Sequence, residues 1–260
     1  MEVIAKFRER LNAGDICLGA SITLADPLVS DALGDSADFL WIDMEHSPMS
    51  PGVLQCHLLA ARARAVPALV RVTSSETPFI KPALDAGAEG IIVPQVRSAE
   101  EVRQIVSDCH YPPVGTRGYG PRVPSNYGRD GGAEYIERAN ENVFVAVQVE
   151  NMEGLAALDE ILAIEGLDSV VIGPNDLSGS MGRLGDLDHP EVVAAMQTII
   201  DKTRAAGLII GAGMGISLDF ACVMIERGIQ WLQLGGDVEY LVESMDRVTA
   251  SVRDRLARKR

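Results

Sequence analysis

Two carboxylates follow neighbouring apolar runs near the middle of the chain. Glu150 comes directly after the run 143–149, and Asp176 comes four residues after the run 169–172. The first run is rich in β-branched residues, which is typical of a strand buried on both faces. A carboxylate at the end of such a strand is costly to bury without a cation. If the two runs are adjacent parallel strands, both side chains point into one crevice, and we predict that they share one divalent metal ion.

The choice of metal follows from the chemistry of the ligands. Two hard oxygen ligands suit Mg²⁺, which commonly takes one or two carboxylates and completes its shell with water and substrate oxygens. Mn²⁺ and Co²⁺ fit the same donors. The alternative is that both acids are N-caps or N-terminal charges, because each lies next to a predicted helix. The residue types and their spacing leave both interpretations open.

Polar side chains also follow the second and third predicted strands. Asp43, Glu45 and His46 come after one apolar run, and Arg71 ends the next. An imidazole is well matched to general base catalysis at neutral pH, with Asp43 as the group that orients it, although His46 could instead bond its own loop. The planar guanidinium of Arg71 suits a bound carboxylate. The alternative for Arg71 is an internal salt bridge to Asp43 or Glu45.

The lysines do not lie at the ends of predicted strands. Schiff-base chemistry needs a desolvated lysine in the pocket. If this protein makes or breaks carbon–carbon bonds beside a ketone, we therefore expect a metal to hold the enolate. The lysines are Lys6, Lys81, Lys202 and Lys259.

Strand-like and helical patterns alternate eight times along the chain. The predicted strands are 16–22, 39–42, 68–72, 90–93, 143–149, 169–172, 208–212 and 231–234. The predicted helices are an amphipathic N-terminal helix followed by 27–33, 50–65, 77–86, 99–109, 133–140, 152–164, 190–206, 217–228 and 240–257. Eight such units predict an α/β fold, a (β/α)₈ TIM barrel, as a single domain over residues 1–260.

The polar clusters described above lie at the carboxyl ends of strands, where barrel active sites are built. The alternative fold is a doubly wound open sheet, which would need a Gly-rich fingerprint after an early strand. The sequence has no such fingerprint after an early strand. Its Gly235-Gly236 pair follows the last predicted strand. The segment 110–132 is rich in Gly, Pro, Arg and Tyr, and a loop of this length is usually functional or mobile.

Composition excludes several classes of partner. The net charge of −14 argues against a nucleic-acid partner, because binding phosphates needs a basic face. No apolar run approaches the length of a membrane span, and the N-terminus lacks the apolar core of a signal peptide. The cysteines show no CxxC pairing, so we expect reduced thiols in or near the core and a cytoplasmic location. They are Cys17, Cys56, Cys109 and Cys222.

Several motifs together resemble the HpcH/HpaI family of metal-dependent class II aldolases. They are WIDMEHSP, LVRV, GAEGIIVPQVRSAEE, GTRGYGPR, VQVEN and VVIGPNDLSGSMG, in the order and spacing of the family, and they extend over roughly residues 18–236. The resemblance implies a barrel of the pyruvate kinase/phosphoenolpyruvate type. It also implies reversible cleavage of 4-hydroxy-2-oxo acids to pyruvate, or a related 2-oxo acid, and an aldehyde through a metal-bound enolate.

The resemblance implies roles for individual residues. Glu150 and Asp176 match the metal ligands, and Arg71 matches the arginine that grips the oxo acid. His46 matches the catalytic base, and Asp43 matches its neighbouring acid. The remaining matches are Gln148 beside the pyruvate, Asp85, which reaches a histidine of a neighbouring subunit, and the backbone of Pro174 and Asn175, where the substrate carboxylate binds. Position 175 is often small in the family, so Asn175 is a departure that leaves the acceptor side open.

The resemblance further implies a homohexamer, a trimer of dimers that exchange the last helix. Alternatives on the same scaffold are an oxaloacetate decarboxylase, another enolate-forming lyase of the macrophomate synthase sort, and a citrate-lyase-like or malyl-CoA-type lyase. A non-catalytic barrel that binds oxo acids is an alternative of another class. The aldehyde is not specified, since its choice depends on the segment 110–132, on residues near 213–216, and on a neighbouring subunit.

Overall fold

Eight parallel strands form a closed barrel in the computed structural model, which describes residues 2–258. Each strand pairs with the next along the chain, and β8 pairs with β1. The strands are β1 (Cys17–Ile22), β2 (Phe39–Asp43), β3 (Ala68–Arg71), β4 (Gly90–Val93), β5 (Phe144–Val149), β6 (Ser169–Ile172), β7 (Ile209–Met214) and β8 (Trp231–Gly236). The closure confirms the (β/α)₈ prediction and excludes the open sheet.

Helices surround the barrel and follow the strands in the predicted order. They are α1 (Glu2–Asn12), α2 (Leu28–Leu33), α3 (Pro51–Arg64), α4 (Thr77–Ala86), α5 (Ala99–Cys109), α6 (Gly132–Asn142), α7 (Met152–Ala156), α8 (Leu158–Leu162), α9 (Pro174–Ser180), α10 (Pro190–Ala205), α11 (Leu218–Arg227) and α12 (Asp237–Ala257). Among the helices of residues 2–258, none combines the length and apolar content that a membrane crossing requires.

The amino end of the barrel is closed by aromatic packing. Phe7 of α1 lies against the rings of Phe39, Phe144 and Trp231, with centroid separations of 5.5 to 6.3 Å. All four side chains are buried. Because α1 fills this end of the barrel, the opposite end, where the strands terminate, is the one left open for chemistry.

The helices differ from the prediction in three places. The segment predicted as one helix over 152–164 is broken at Ala157 into α7 and α8, and the break turns Leu158 and Ile161 of α8 into the core. Helix α9 was not predicted, because its sequence PNDLSGS lacks apolar periodicity although Pro174 occupies a favourable first position. Helix α12 begins at Asp237 rather than at position 240.

The early start of α12 has a local cause. The side chain of Glu239 accepts a hydrogen bond from the backbone N–H of Gly236 at 2.7 Å, as in a capping box. Acidic residues are also favourable in the first turn of a helix. The polar sequence before position 240 therefore belongs to the helix and not to a loop.

The cysteines are free thiols in the part of the chain that the structure describes. Cys17 and Cys109 are buried as predicted, and burial raises the pKa of the Cys17 thiol to about 11. Cys56 and Cys222 are exposed, so the prediction of core or near-core positions is wrong for these two. Both lie on helices outside the barrel, α3 and α11, and face solvent.

Candidate active site

Asp43 and Arg71 form the best-defined contact at the open end of the barrel. They are register partners on adjacent strands, so their side chains emerge at the same height. Nε and Nη2 of Arg71 donate to Oδ1 and Oδ2 of Asp43 at 3.0 and 2.6 Å. The guanidinium also lies over the ring of Trp41, 5.4 Å from its centroid. Burial works against the charged guanidinium, but Asp43 and Glu45 outweigh it and raise the pKa of Arg71.

The internal salt bridge considered for Arg71 is therefore present. Its third nitrogen, Nη1, lies 3.1 Å from Oε2 of Glu45. Asp43 is further fixed by the turn that follows β2, because its Oδ1 accepts the backbone N–H groups of Glu45 and His46 at 3.0 and 3.3 Å. The turn thus holds Arg71, Asp43, Glu45 and His46 in one cluster, and the salt bridge fixes the guanidinium beside the barrel mouth.

His46 lies at the rim of this cluster. Its side chain is 64% exposed, and its Nε2 lies 3.5 Å from Oε2 of Glu45. An imidazole that is this exposed is accessible to a ligand. Asp43 contacts the backbone of His46 rather than its ring.

Glu150 is the most strongly perturbed acid of the predicted site. The residue is 2% exposed at the end of β5. Its Oε1 accepts the backbone N–H of Gln95 at 2.8 Å, and its Oε2 accepts the side-chain amide of Gln148 at 2.9 Å. Burial raises the pKa of Glu150 to about 7, the Gln95 N–H opposes this, and the negative charge of Asp176 adds to it. Neither hydrogen-bond donor carries the positive charge that a buried carboxylate needs.

Two backbone features place Glu150 where it is. Gln95 adopts a left-handed conformation with φ of 57°, which is uncommon for a residue with a side chain, and it directs its N–H toward the carboxylate. Gly173 follows β6, and a Cβ at this position would overlap Oε2 of Glu150. The neighbouring strand therefore accommodates the carboxylate only because position 173 is glycine.

Asp176 lies in the first turn of α9 and is exposed at the mouth of the barrel. Together with Gln95 and Glu150, it lines an open cavity of about 450 Å³. The N-cap of α7 is Asn151, whose side chain accepts the N–H of Gly154 at 2.8 Å. Glu150 and Asp176 are thus not the caps of α7 and α9, and the N-cap alternative is excluded for both, although Asp176 does place a negative charge in a first helical turn.

The donors at this cavity fit a divalent cation. Two carboxylates line it, and the charge of Asp176 adds to the cost of ionising Glu150. Oε1 of Gln148, whose amide binds Glu150, is buried without a hydrogen-bond partner. No group of three or more His, Cys, Asp and Glu suited to a metal occurs within residues 2–258. A site with two carboxylates is still ordinary for Mg²⁺ or Mn²⁺, which complete their shells with water and substrate oxygens.

The other predicted site residues lie in different places. Pro174 is buried and Asn175 is exposed at the start of α9, next to Asp176. Asp85 lies near the end of α4, at the amino side of the barrel, away from the other predicted residues of its own chain. There it accepts a hydrogen bond from Nη2 of Arg117 at 3.0 Å, and Arg117 in turn stacks on Tyr111.

The described lysines lie on helices, as the sequence predicts. Lys6, Lys81 and Lys202 lie on α1, α4 and α10, and none of these three is at the end of a strand. Lys259 lies outside the described residues. A second cavity of about 540 Å³ lies at the amino side of the barrel, between α1, α3 and α6, and none of the predicted site residues lines it.

The sequence prediction missed three features of this site. Glu45 received no role beyond a salt bridge, although it stands between Asp43 and His46. The backbone N–H of Gln95 and the missing Cβ of Gly173 were not considered. The glycine directly after a strand and before Pro174 was the signal available for the last of these, since such a position often marks a close backbone approach.

Comparisons with known proteins agree with the motifs. The profile of the HpcH/HpaI aldolase/citrate lyase family matches residues 23–244. A hydroxypyruvate/pyruvate aldolase from Pseudomonas aeruginosa is 36% identical over 243 residues, which cover 93% of this chain and 90% of the relative. A 2-keto-3-deoxy-L-rhamnonate aldolase from Escherichia coli is 35% identical over 243 residues, with coverage of 92% and 90%.

A solved structure extends the similarity to three dimensions. A HpcH/HpaI aldolase/citrate lyase family protein from Burkholderia cenocepacia superposes with a TM-score of 0.89 at 30% identity, and the match covers 95% of this chain and 99% of that one. This chain belongs to the HpcH/HpaI aldolase/citrate lyase family.

Proposed function

We propose that the protein is a divalent-metal-dependent class II aldolase that reversibly cleaves 4-hydroxy-2-oxo acids to pyruvate, or a related 2-oxo acid, and an aldehyde. The aldolase names of the relatives at 35–36% identity support a carbon–carbon lyase. The observation that carries the metal dependence is Glu150, a carboxylate that is 2% exposed and hydrogen-bonded to neutral donors beside a second carboxylate. Burying such a pair in its ionised form is costly, and a cation bound between the two acids would offset that cost.

Glu150 and Asp176 are the proposed metal ligands, with Mg²⁺, Mn²⁺ or Co²⁺ as the candidates. A divalent cation held there would supply positive charge to a bound 2-oxo acid. Gln148 holds Oε2 of Glu150 through its amide N–H and leaves its buried Oε1 unpaired beside the site. We assign Gln148 to the wall beside the oxo acid, and the backbone at Pro174 and Asn175 to its carboxylate.

Arg71 is the proposed electrostatic partner of the enolate. Cleavage breaks the bond between C3 and C4 of the substrate and leaves the electron pair on the oxo-acid fragment. The resulting negative charge is stabilised by a guanidinium that is already oriented, since Asp43 fixes it through two hydrogen bonds and little reorganisation is needed during the reaction. A protein cation in a part-buried site acts more strongly than one in water.

His46 is the proposed base. It takes the proton of the C4 hydroxyl as the aldehyde forms and returns a proton in the direction of synthesis. Its exposure permits this exchange, and Asp43 positions its backbone. Asp85, which lies away from His46 within one chain, is proposed to act on the histidine of a neighbouring subunit.

The proposed assembly is a homo-oligomer, a hexamer built from dimers that exchange α12. Support comes from an apolar stripe along this helix that is exposed in the single chain. Its members recur at spacings of three and four residues, as on one face of a helix that packs against another protein surface. They are Leu241, Met245, Val248, Val252 and Leu256, each 51–66% exposed. In the proposed assembly, a second copy of the same chain covers this stripe.

The names of the relatives favour an aldolase over an oxaloacetate decarboxylase or another enolate-forming lyase. A barrel that only binds oxo acids would need neither a base nor a metal. Reduced thiols agree with the proposed cytoplasmic location.

The experiment that tests the proposed function follows the methyl protons of pyruvate. Enzyme treated with EDTA is reloaded with Mg²⁺, Mn²⁺ or Co²⁺ and incubated with pyruvate in D₂O, and proton loss is followed by NMR. We expect metal-dependent exchange and, with a panel of aldehydes, formation of 4-hydroxy-2-oxo acids. Exchange that is equal with and without metal would refute the metal role, and the absence of both exchange and product would refute the aldolase.

A further inference from the structure

Glu45 lies between two groups to which the proposed function gives roles. One of its oxygens, Oε2, is 3.1 Å from Nη1 of Arg71 and 3.5 Å from Nε2 of His46. This oxygen is buried, yet it accepts no hydrogen bond of acceptable geometry from either neighbour. The contact with Arg71 is therefore close and electrostatic but not directional. Burial raises the pKa of Glu45, and the charges of Arg71 and His46 oppose this.

In this arrangement each nitrogen of Arg71 already lies beside a carboxylate. Nε and Nη2 are bound by Asp43, and Nη1 is in contact with Glu45. A guanidinium has five N–H groups, so a 2-oxo acid need not break both contacts, but an oxo acid that binds at Nη1 competes with Glu45 for that nitrogen, and one that binds at Nη2 competes with Asp43.

The two carboxylates differ in how firmly they are held. Asp43 accepts two hydrogen bonds from Arg71 and two from backbone N–H groups, and its side chain is 4% exposed. Glu45 has a single undirected contact with Arg71, and its side chain is 16% exposed. Displacing Asp43 from Arg71 would break two hydrogen bonds and disturb the two that anchor the turn, whereas displacing Glu45 breaks none. Glu45 is the group that yields.

We propose that Glu45 is a positioning residue that exchanges partners when the oxo acid binds. In the free enzyme it occupies Nη1 of Arg71. When the carboxylate or keto oxygen of a 2-oxo acid takes that nitrogen, Glu45 moves the short distance to Nε2 of His46 and holds the imidazole at the barrel mouth. As His46 accepts the hydroxyl proton, the adjacent carboxylate stabilises the cation that forms. This inference rests on the proposed function, because it assigns the oxo acid to Arg71 and the base to His46.

The exchange predicts opposite effects on binding and turnover. Removing the charge of Glu45 removes a competitor for Arg71, so pyruvate binds more tightly, and we expect Kd and KM to fall roughly threefold or more. The same change deprives protonated His46 of its anion, so kcat falls about tenfold. A residue that only supported the local fold would raise KM and lower kcat together.

The test uses the metal-loaded enzyme and the variants Glu45→Gln and Glu45→Asp. Pyruvate affinity is measured by isothermal titration calorimetry, and kcat and KM come from the aldol addition of pyruvate to an aldehyde. We expect the fall in both Kd and kcat for Glu45→Gln, and a return toward the wild-type values for Glu45→Asp, which keeps the charge. In a His46→Asn background, Glu45→Gln should no longer change kcat.

The matched control is Glu191→Gln. It removes an exposed carboxylate that lies 3.8 Å from Nδ1 of His189 and has no contact with Arg71 or His46. This variant should leave Kd and kcat unchanged. Circular dichroism checks the fold of each variant, and Glu45→Ala provides a second removal of the charge if the Gln variant is unstable.

Two results would overturn the inference while the proposed function stands. One is weaker pyruvate binding by the Glu45→Gln variant than by the wild-type enzyme. The other is unchanged kcat in that variant. If the wild-type enzyme instead fails to exchange the protons of pyruvate or to form an aldol product, the proposed function itself fails. The calorimetric comparison then still decides whether Glu45 competes with pyruvate for Arg71.

Discussion

Replacing Glu150 by Gln should stabilise the metal-free protein, and by an amount that depends on pH. The pKa of Glu150 rises from the ordinary 4.5 to about 7 because the side chain is buried beside Asp176. Since a tenfold change in proton affinity is worth about 1.4 kcal/mol, the folded state carries a cost of about 3 kcal/mol once the carboxylate is fully ionised. Gln has the same shape and no charge, so the variant escapes this cost.

The direction with pH follows from the two pKa values. Below 4.5 the carboxyl is protonated in both folded and unfolded chains, so it costs nothing. Between pH 4.5 and about 7 the unfolded chain is ionised before the folded chain, so the cost of keeping Glu150 folded grows over this range. Above about 7 the cost is fully present. The stabilisation by Glu150→Gln should therefore be about 2 kcal/mol larger at pH 8 than at pH 5.

The assay is urea unfolding in EDTA at the two pH values and at one fixed protein concentration, because association also changes apparent stability. Any fixed cost of the new amide cancels in the difference between the two pH values. The matched control is Glu153→Gln, which removes an exposed acid paired with Arg97 and should show no such difference. An equal effect of Glu150→Gln at pH 5 and pH 8 would show that the buried carboxylate is compensated by another group, and would refute the reasoning.

Three further predictions follow from named contacts. Gly173→Ala should lower kcat/KM about 100-fold because its Cβ displaces Glu150, whereas Gly52→Ala, whose Cβ meets nothing closer than 3.9 Å, should have no effect in the same steady-state assay. Arg71→Lys keeps the charge but loses the two-point contact with Asp43, so kcat should fall about 100-fold while far-UV circular dichroism is unchanged, and near-normal turnover would count against the assignment. Met245→Glu places a charge on the exposed stripe of α12 and should reduce the mass measured by light scattering, and an unchanged mass would place the subunit contact elsewhere.

The barrel was predictable because eight short apolar runs alternate with helical patterns, and each run of buried residues became a strand. The polar ends of these runs also predicted which side chains meet, since parallel strands terminate at one rim. Asp43 and Arg71 belong to different sequence motifs, but their register on adjacent strands makes them partners.

Other parts of the site depend on three-dimensional detail that a linear pattern does not contain. The conformation of Gln95, with its positive φ, depends on the carboxylate that its N–H binds 55 residues later. The position of Glu45 beside Arg71 depends on how the turn after β2 folds around Asp43. Helix α9 was missed because most of its residues are polar or small, although Pro174, Leu177 and Ser178 are buried.

Exposure was the least predictable property. Cys56 and Cys222 lie within apolar stretches of sequence, yet they face solvent on the outer surfaces of helices. The apolar stripe of α12 likewise has the periodicity of a core-facing helix but is exposed in the single chain. A sequence pattern predicts that such a face is buried, and whether the covering surface belongs to the same chain or to another copy is a property of the assembly.

The direct test of the metal site is a titration of EDTA-treated protein with Mn²⁺, in which free Mn²⁺ is followed by its electron paramagnetic resonance signal. The wild-type chain and the variants Glu150→Gln and Asp176→Asn are compared at pH 8. We expect one bound ion per wild-type chain, and an affinity at least about 100-fold weaker in each variant, since each removes one of two charged ligands. Unchanged Mn²⁺ affinity in both variants would contradict the assignment of a metal to this pair of carboxylates.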